Sequence, residues 1–313
     1  MVNLGIVGLG PAWETRYRPA LRALRSRVRV CAVYDCVPSR AAAAAKSVDA
    51  DVVGGIRAMM LRPDIRGILW LGTEWQGDAP LQFAIAARKP TMIAAPNAFP
   101  IDTLARLHLS GLSTGLTLMP EFLRRYLPAT HRVQELLATR IGPARVIRAT
   151  LQTTEVGLAT SPELTALLDW CRHIARTPPA TIQATQNGHG ERLVVEFRQP
   201  RIASFKPRAE IHLQAGESSE TPKLIIEGDQ GRIAIEETHR IRWNCDNEET
   251  VEDLSNERPA AEVLIDHFCR RVVGGLIPVA DLGDLCSHLQ VLEEARRSLA
   301  QGRALRINPI DAV

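Results

Sequence analysis

The chain has 313 residues, a length that predicts about two domains. Its 45% hydrophobic and 23% charged residues form an ordinary globular mixture, which excludes a disordered or fibrous chain. With 38 basic and 35 acidic side chains the formal charge is +3, too even a balance to predict a nucleic-acid or membrane-surface partner.

The opening run, Met1 to Gly8, has no basic leader and reads as a strand, with its apolar part at Leu4–Val7. Short apolar runs at Val28–Tyr34, Gly67–Leu71, Thr91–Ala94 and Leu116–Met119 have the character of strands buried on both faces of a parallel sheet. Helical stretches lie between them at Pro19–Arg25, the alanine-rich Pro38–Val48, Gly77–Arg88 and Asp102–Ser110. Such alternation predicts crossover units and a doubly wound parallel sheet over residues 1–120. After Met119 the order changes. A helix at Leu127–Arg140 stops at Ile141-Gly142-Pro143; a strand is expected at Ala144–Thr153 and a helix at Pro162–Arg176. From Thr181 to Trp243 alternating strands are parted by turns such as Gly188-His189-Gly190, the pattern of an antiparallel sheet. An acidic polar stretch, Asn244–Glu257, leads to two helices, Ala260–Val273 and Leu282–Gln301. Residues 121–313 are thus expected to form an α+β domain with a mainly antiparallel sheet. No run nears the roughly 20 apolar residues of a bilayer span. The six cysteines (Cys31, Cys36, Cys171, Cys245, Cys269, Cys286) lack a C-x-x-C pair and predict reduced thiols in a cytoplasmic protein.

Gly8-Leu9-Gly10-Pro11-Ala12-Trp13 follows the first strand directly. Gly8 and Gly10 fit a dinucleotide turn, one allowing the bend and the other a close approach of the backbone to a pyrophosphate. Free N–H groups at the start of the next helix would then neutralise the phosphates. The third position normally holds Gly or Ala and here is Trp13, while Pro11 removes one N–H donor. Asp35 ends the second strand, where an acid accepts hydrogen bonds from the ribose hydroxyls and repels a 2′-phosphate. That predicts NAD, with NADP left open by nearby Arg40. A G-x-G also fits a plain strand-ending turn, Asp35 also fits a solvated turn acid, and an indole plugging the phosphate hollow would leave no dinucleotide at all.

With these elements in order, the chain resembles the Gfo/Idh/MocA family, named for glucose–fructose oxidoreductase and inositol dehydrogenase. The resemblance rests on Gly8-Leu9-Gly10 with Pro19-Ala20-Leu21, on Asp64 to Thr73, on Arg125-Tyr126-Leu127-Pro128, on Leu168 to His173, and on Ile226 to Ile233. It implies a Rossmann-type cofactor domain followed by a domain whose sheet carries homo-oligomer contacts. The implied activity is NAD(P)-dependent hydride transfer to or from a hydroxyl of a small polyhydroxylated substrate, a sugar, polyol or derivative. Cofactor contacts are implied for Gly8 to Trp13, Asp35, Gly72, Thr73 and Arg125. Trp75 is expected near the nicotinamide because its loop follows the carboxyl end of a strand. The family's Glu-Lys-Pro motif falls on Ala94-Ala95-Pro96, so Ala95 and Pro96 join the cofactor site by position alone and both charged members are absent.

Oxidising an alcohol requires a group that takes the hydroxyl proton, and an unperturbed His, titrating near 6.5, suits that task. Asp169 and His173 lie four apart, on one face of a helix. By itself that spacing is common on helix surfaces; the family's D-x-x-x-H helix gives the pair its expected role, His173 as base and Asp169 as orienting acceptor. The missing lysine opens an alternative, a non-catalytic dinucleotide- or sugar-derivative-binding homologue. Among possible replacements the sequence offers Arg124, Arg125 and Lys206; of the four lysines, none adjoins Pro96. No metal-ligand spacing is present.

Overall fold

A computed structural model describes residues 1–72, 77–94, 99–153, 162–188, 190–201, 203–216, 222–246 and 248–308. The chain divides into two compact units. Unit 1 comprises Met1–Glu121 and Pro259–Cys286, and unit 2 comprises Phe122–Arg258 and the residues from Ser287 on.

Unit 1 is built on six parallel strands, β1 (Val2–Val7), β2 (Val28–Tyr34), β3 (Asp51–Val52), β4 (Gly67–Trp70), β5 (Thr91–Ile93) and β6 (Leu118–Pro120). Their spatial order is β3-β2-β1-β4-β5-β6, so the direction of winding reverses between β1 and β4. The central strands are short and apolar because helices cover both faces: Leu4, Ile6, Ile68, Leu69, Trp70, Met92 and Ile93 have no exposed surface. The connecting helices are α1 (Arg18–Ala23), α2 (Pro38–Val48), α3 (Ile56–Leu61), α4 (Ala79–Ala86) and α5 (Ile101–Thr114). The doubly wound parallel sheet expected from the sequence is present.

Unit 2 contains α6 (Pro128–Thr139), β7 (Val146–Thr153), α7 (Pro162–Ala175), and the strands β8 (Pro179–Asn187), β9 (Gly190–Phe197), β10 (Arg208–Ala215), β11 (Lys223–Glu227), β12 (Gly231–Glu237), β13 (Arg240–Cys245) and β14 (Glu248–Asp253). Two terminal helices, α8 (Ala260–Val272) and α9 (Leu282–Gln301), and β15 (Leu305–Arg306) complete the chain. The nine-stranded sheet runs β14-β13-β12-β11-β7-β10-β9-β8-β15, antiparallel except for the β7–β10 pair. Alternate residues such as Ile147, Ile182, Leu193, Ile211, Ile226 and Ile233 point into one core with α6, α7 and α9. The opposite face is ionic. On it the Glu210 carboxylate sits among Arg208, Arg192 and Arg148, at 2.9, 3.3 and 3.6 Å.

The sequence reading did not place β3, α3 or β15, and two further differences from it have local causes. The stretch Asn244–Glu257 is not a plain connector, because Glu248–Asp253 within it forms the edge strand β14. Its charges suit an edge strand, which must discourage pairing with other chains, and Glu252 accepts two hydrogen bonds from Arg132 of α6, at 2.7 and 2.8 Å. The helix α8, read with the C-terminal domain, belongs to unit 1. There Phe268 and Val272 pack against Gly67 of β4, and Asp266 pairs with Arg27 at 3.2 Å.

Candidate functional site

The turn after β1 is set by contact between backbones. Gly8 has φ +71°, a left-handed conformation that favours glycine, and a Cβ there would come within 2.8 Å of the Gly72 carbonyl oxygen. A Cβ on Gly10 would lie 2.1 Å from the Leu71 carbonyl oxygen. The two glycines therefore let the turn press against the end of β4. The Gly8 N–H donates to the Tyr34 carbonyl at 2.7 Å, which ties the same turn to β2.

Beyond Gly10 the chain winds wide. The Ala12 carbonyl accepts from Arg16 N–H at 2.9 Å and from Tyr17 N–H at 3.2 Å, so Trp13–Tyr17 is a π-helical turn leading into α1. The Trp13 side chain, 4% exposed, joins the apolar core of unit 1, and its indole N–H has no acceptor among the described residues. A buried ring thus stands in the π-helical turn, at a position that ordinarily takes no more than a methyl.

Asp35, just past β2, is buried. One of its oxygens accepts the Leu9 N–H at 2.8 Å and the other the Val37 N–H at 2.9 Å. The Arg40 guanidinium lies 3.5 Å from the carboxylate and donates to the Leu9 carbonyl. Asp35 is thus not a solvated turn acid; it links the glycine turn, β2 and α2.

In unit 2, Asp169 of α7 has no exposed surface, and both of its oxygens accept from Arg125, with Arg125 Nε at 2.8 Å and the outer nitrogen at 2.5 Å. His288 Nε2 is 3.5 Å from the same carboxylate, and Phe122 lies edge-on to the His288 ring. The Arg125 guanidinium also stacks over Phe122, at 5.3 Å from the ring centre. Helix α7 is fixed at this end because the Trp170 indole donates to Thr130 at 2.9 Å and Thr130 donates to the Arg124 carbonyl at 2.6 Å. Asp169 and His173 share a helix face but do not bond to one another. The Nε2 of His173 meets Gln134 at 2.8 Å, and burial, reinforced by Arg125, pushes the imidazole down to about 4. Gln134 and His288 were not legible in the sequence, since nothing local marks them.

Neither a family model nor a curated protein matches the sequence, yet solved structures match over nearly its whole length. A candidate myo-inositol dehydrogenase of Sinorhizobium meliloti superposes with a TM-score of 0.79 at 19% identity, covering 98% of this chain and 100% of that one. An Agrobacterium radiobacter oxidoreductase in complex with NAD+, L-tartaric acid and magnesium gives 0.77 at 16%, over 98% of both chains. A levoglucosan dehydrogenase in complex with NADH and L-sorbose gives 0.78 at 13%, over 99% of both. The chain has the Gfo/Idh/MocA fold.

Within the Gfo/Idh/MocA fold, four of the residues singled out above, Thr73, Trp75, Ala95 and Pro96, lie outside the described residues, as does His189. Gly72 is described and adjoins Gly8. Lys89 stands at the start of β5, where its ammonium donates to the Arg62 and Ile65 carbonyls. It is therefore at the wrong end of the strand to replace the absent lysine. At the other end, Glu121 follows β6 and donates its N–H to the Ile93 carbonyl of β5 at 2.8 Å. The Glu121 carboxylate holds Arg16 at 3.0 Å. The sequence reading missed this pair, because a separation of 105 residues leaves no local signal.

Proposed function

We propose that the chain is an NAD(P)-dependent oxidoreductase moving a hydride between the nicotinamide and a hydroxyl or carbonyl of a small sugar, polyol or derivative. The observation that carries this reading is the Gly8–Trp13 turn, closed against β4 and tied to Asp35 by the Leu9 N–H.

The residues fit a dinucleotide. The N–H groups of Gly10 and Ala12 have no partner among the described residues and would hold the pyrophosphate. The Asp35 carboxylate accepts from the Leu9 and Val37 N–H groups and has longer contacts to the Cys36 thiol, at 3.7 Å, and Arg40, at 3.5 Å, whose places the ribose hydroxyls would take. Trp13 is buried in the apolar core of unit 1. The group supplies, when bound, the carbon that takes or gives the hydride. In unit 2 His173 is uncharged at neutral pH and so can accept the hydroxyl proton at a ring nitrogen. Asp169 acts at one remove: it holds Arg125, which adds to the effect of burial in depressing the imidazole, while the charge of Asp169 itself opposes that shift. Arg125, implied by the resemblance as a cofactor contact, has two of its nitrogens committed to this pair. The ligand-bound neighbours support the same reading, one with NAD+ and one with NADH and a sugar.

In the test, NAD is titrated into the protein and a panel of sugars and polyols is screened for NADH absorbance. Saturable binding and turnover are expected, with His173→Ala abolishing turnover while leaving NAD affinity unchanged. Flat titrations with both NAD and NADP would remove the cofactor from the proposal. Binding without turnover across a broad panel would instead favour the non-catalytic alternative that the Ala95 substitution raises.

The ionic face of the unit 2 sheet, with Arg148, Arg192, Arg208 and Glu210, supports self-association through that face. Sedimentation should give an oligomer that Glu210→Arg dissociates; a monomer in the unaltered protein rules this out. Six unpaired cysteines, four of them buried, support a reducing, cytoplasmic setting.

A further inference from the structure

The Arg16–Glu121 pair has features that a solvated surface ion pair lacks. Glu121 keeps 9% of its side chain exposed and Arg16 keeps 38%, so the acid is withdrawn from water and the guanidinium forms the accessible side. Hiding a carboxylate costs free energy unless its partner is well placed. Tyr17, 1% exposed, lies beside the pair; burial first, and then the Glu121 carboxylate, pushes its hydroxyl well above 10. Arg16 enters from the π-helical turn, a local widening that often marks functional positions.

The location matters more than the pairing. In an open parallel sheet a dinucleotide crosses the carboxyl edge at the point where the strand order reverses, here between β1 and β4. Asp35, past the end of β2, marks the adenosine side of that point. The other half of the ligand then lies over β4, β5 and β6, and Glu121 is pinned to that edge by its bond to Ile93. A guanidinium N–H donor next to a carboxylate acceptor complements a primary carboxamide, which presents an acceptor oxygen beside a donor NH2.

We propose that Arg16 and Glu121 together read the carboxamide of the nicotinamide, Arg16 donating to its oxygen and Glu121 accepting from its nitrogen. This rests on the dinucleotide reading above and names a contact that reading does not require.

Three ligands separate the possibilities by calorimetric titration: NAD, ADP-ribose, which lacks the nicotinamide, and nicotinic acid adenine dinucleotide, which carries a carboxylate in place of the carboxamide. The unaltered protein should bind NAD about tenfold more tightly than the carboxylate analogue, because Glu121 repels it. Arg16→Met should weaken NAD about tenfold and leave ADP-ribose unchanged. Glu121→Gln, isosteric and able to donate to a carboxylate, should bring the two dinucleotides to within about threefold; it also serves if Arg16→Met fails to fold. The proposal is overturned if Arg16→Met changes NAD and ADP-ribose equally or changes neither, or if Glu121→Gln leaves the preference for NAD over the carboxylate analogue as it was. If ADP-ribose does not bind the unaltered protein, the dinucleotide reading falls first and the carboxamide contact with it.

Discussion

At the scale of single residues, Asp169 and His173 show how far spacing reaches. A separation of four correctly puts them on one face of α7, but whether two groups bond depends on what else packs there. Asp169 is buried without exposed surface, and a carboxylate so placed requires a charge partner; Arg125, 44 residues earlier, supplies it bidentately. His173 is left to Gln134. Its depressed ionisation has a consequence with a definite sign. The unfolded chain binds a proton at this histidine near pH 6.5, whereas the folded protein resists until about pH 4. Stability is thus complete above pH 6.5 and declines as the pH falls between those values, by about 2 kcal/mol after allowing for the ring's partial exposure. Urea midpoints measured across this window should fall less steeply for His173→Gln than for the unaltered protein, and parallel curves would contradict the burial argument. As a proton acceptor, the same histidine should place the acid limb of kcat/KM near pH 4 rather than near 6.5.

At the scale of elements, most of the fold was legible. The strands of unit 1 are short apolar runs between helix-forming stretches, and both signals are local. Asp35 was legible for the same reason: an acid at a strand end, a fixed distance beyond two glycines. The turn at Trp13–Tyr17 was not, because a π-helical turn has the composition of an ordinary helix. Edge strand β14 was hidden by its own charge, since Glu248, Glu249, Glu252 and Asp253 resemble a solvated connector until Arg242 and Arg132 are seen to meet them. No helix among the described residues is long and apolar enough to cross a membrane.

At the scale of the whole molecule, the sequence reads residues 1–120 as the cofactor domain, and the compact unit built on that sheet also includes Pro259–Cys286. Helix α8 buries Leu264, Ile265 and Phe268 completely. At about 1.5–3 kcal/mol for each side chain, those three contribute roughly 5–9 kcal/mol, comparable with the whole net stability of about 5–15 kcal/mol of a typical domain. A fragment of residues 1–120 should therefore keep helical far-UV circular dichroism but lose near-UV signal and bind a hydrophobic dye. Adding residues 259–286 through a linker should restore a cooperative urea transition. A cooperative transition in the shorter fragment would show α8 to be dispensable.

The sequence by itself determined most of the order of strands and helices, the glycine turn and the acid that follows it, because each depends on neighbours within a few dozen residues. Only the tertiary structure decided which charges meet: Arg125 with Asp169, Arg16 with Glu121, Asp266 of α8 with Arg27. Those partners are far apart along the chain, and burial selects them. A charge withdrawn from water needs its counter-charge within hydrogen-bond reach, wherever in the chain that residue lies.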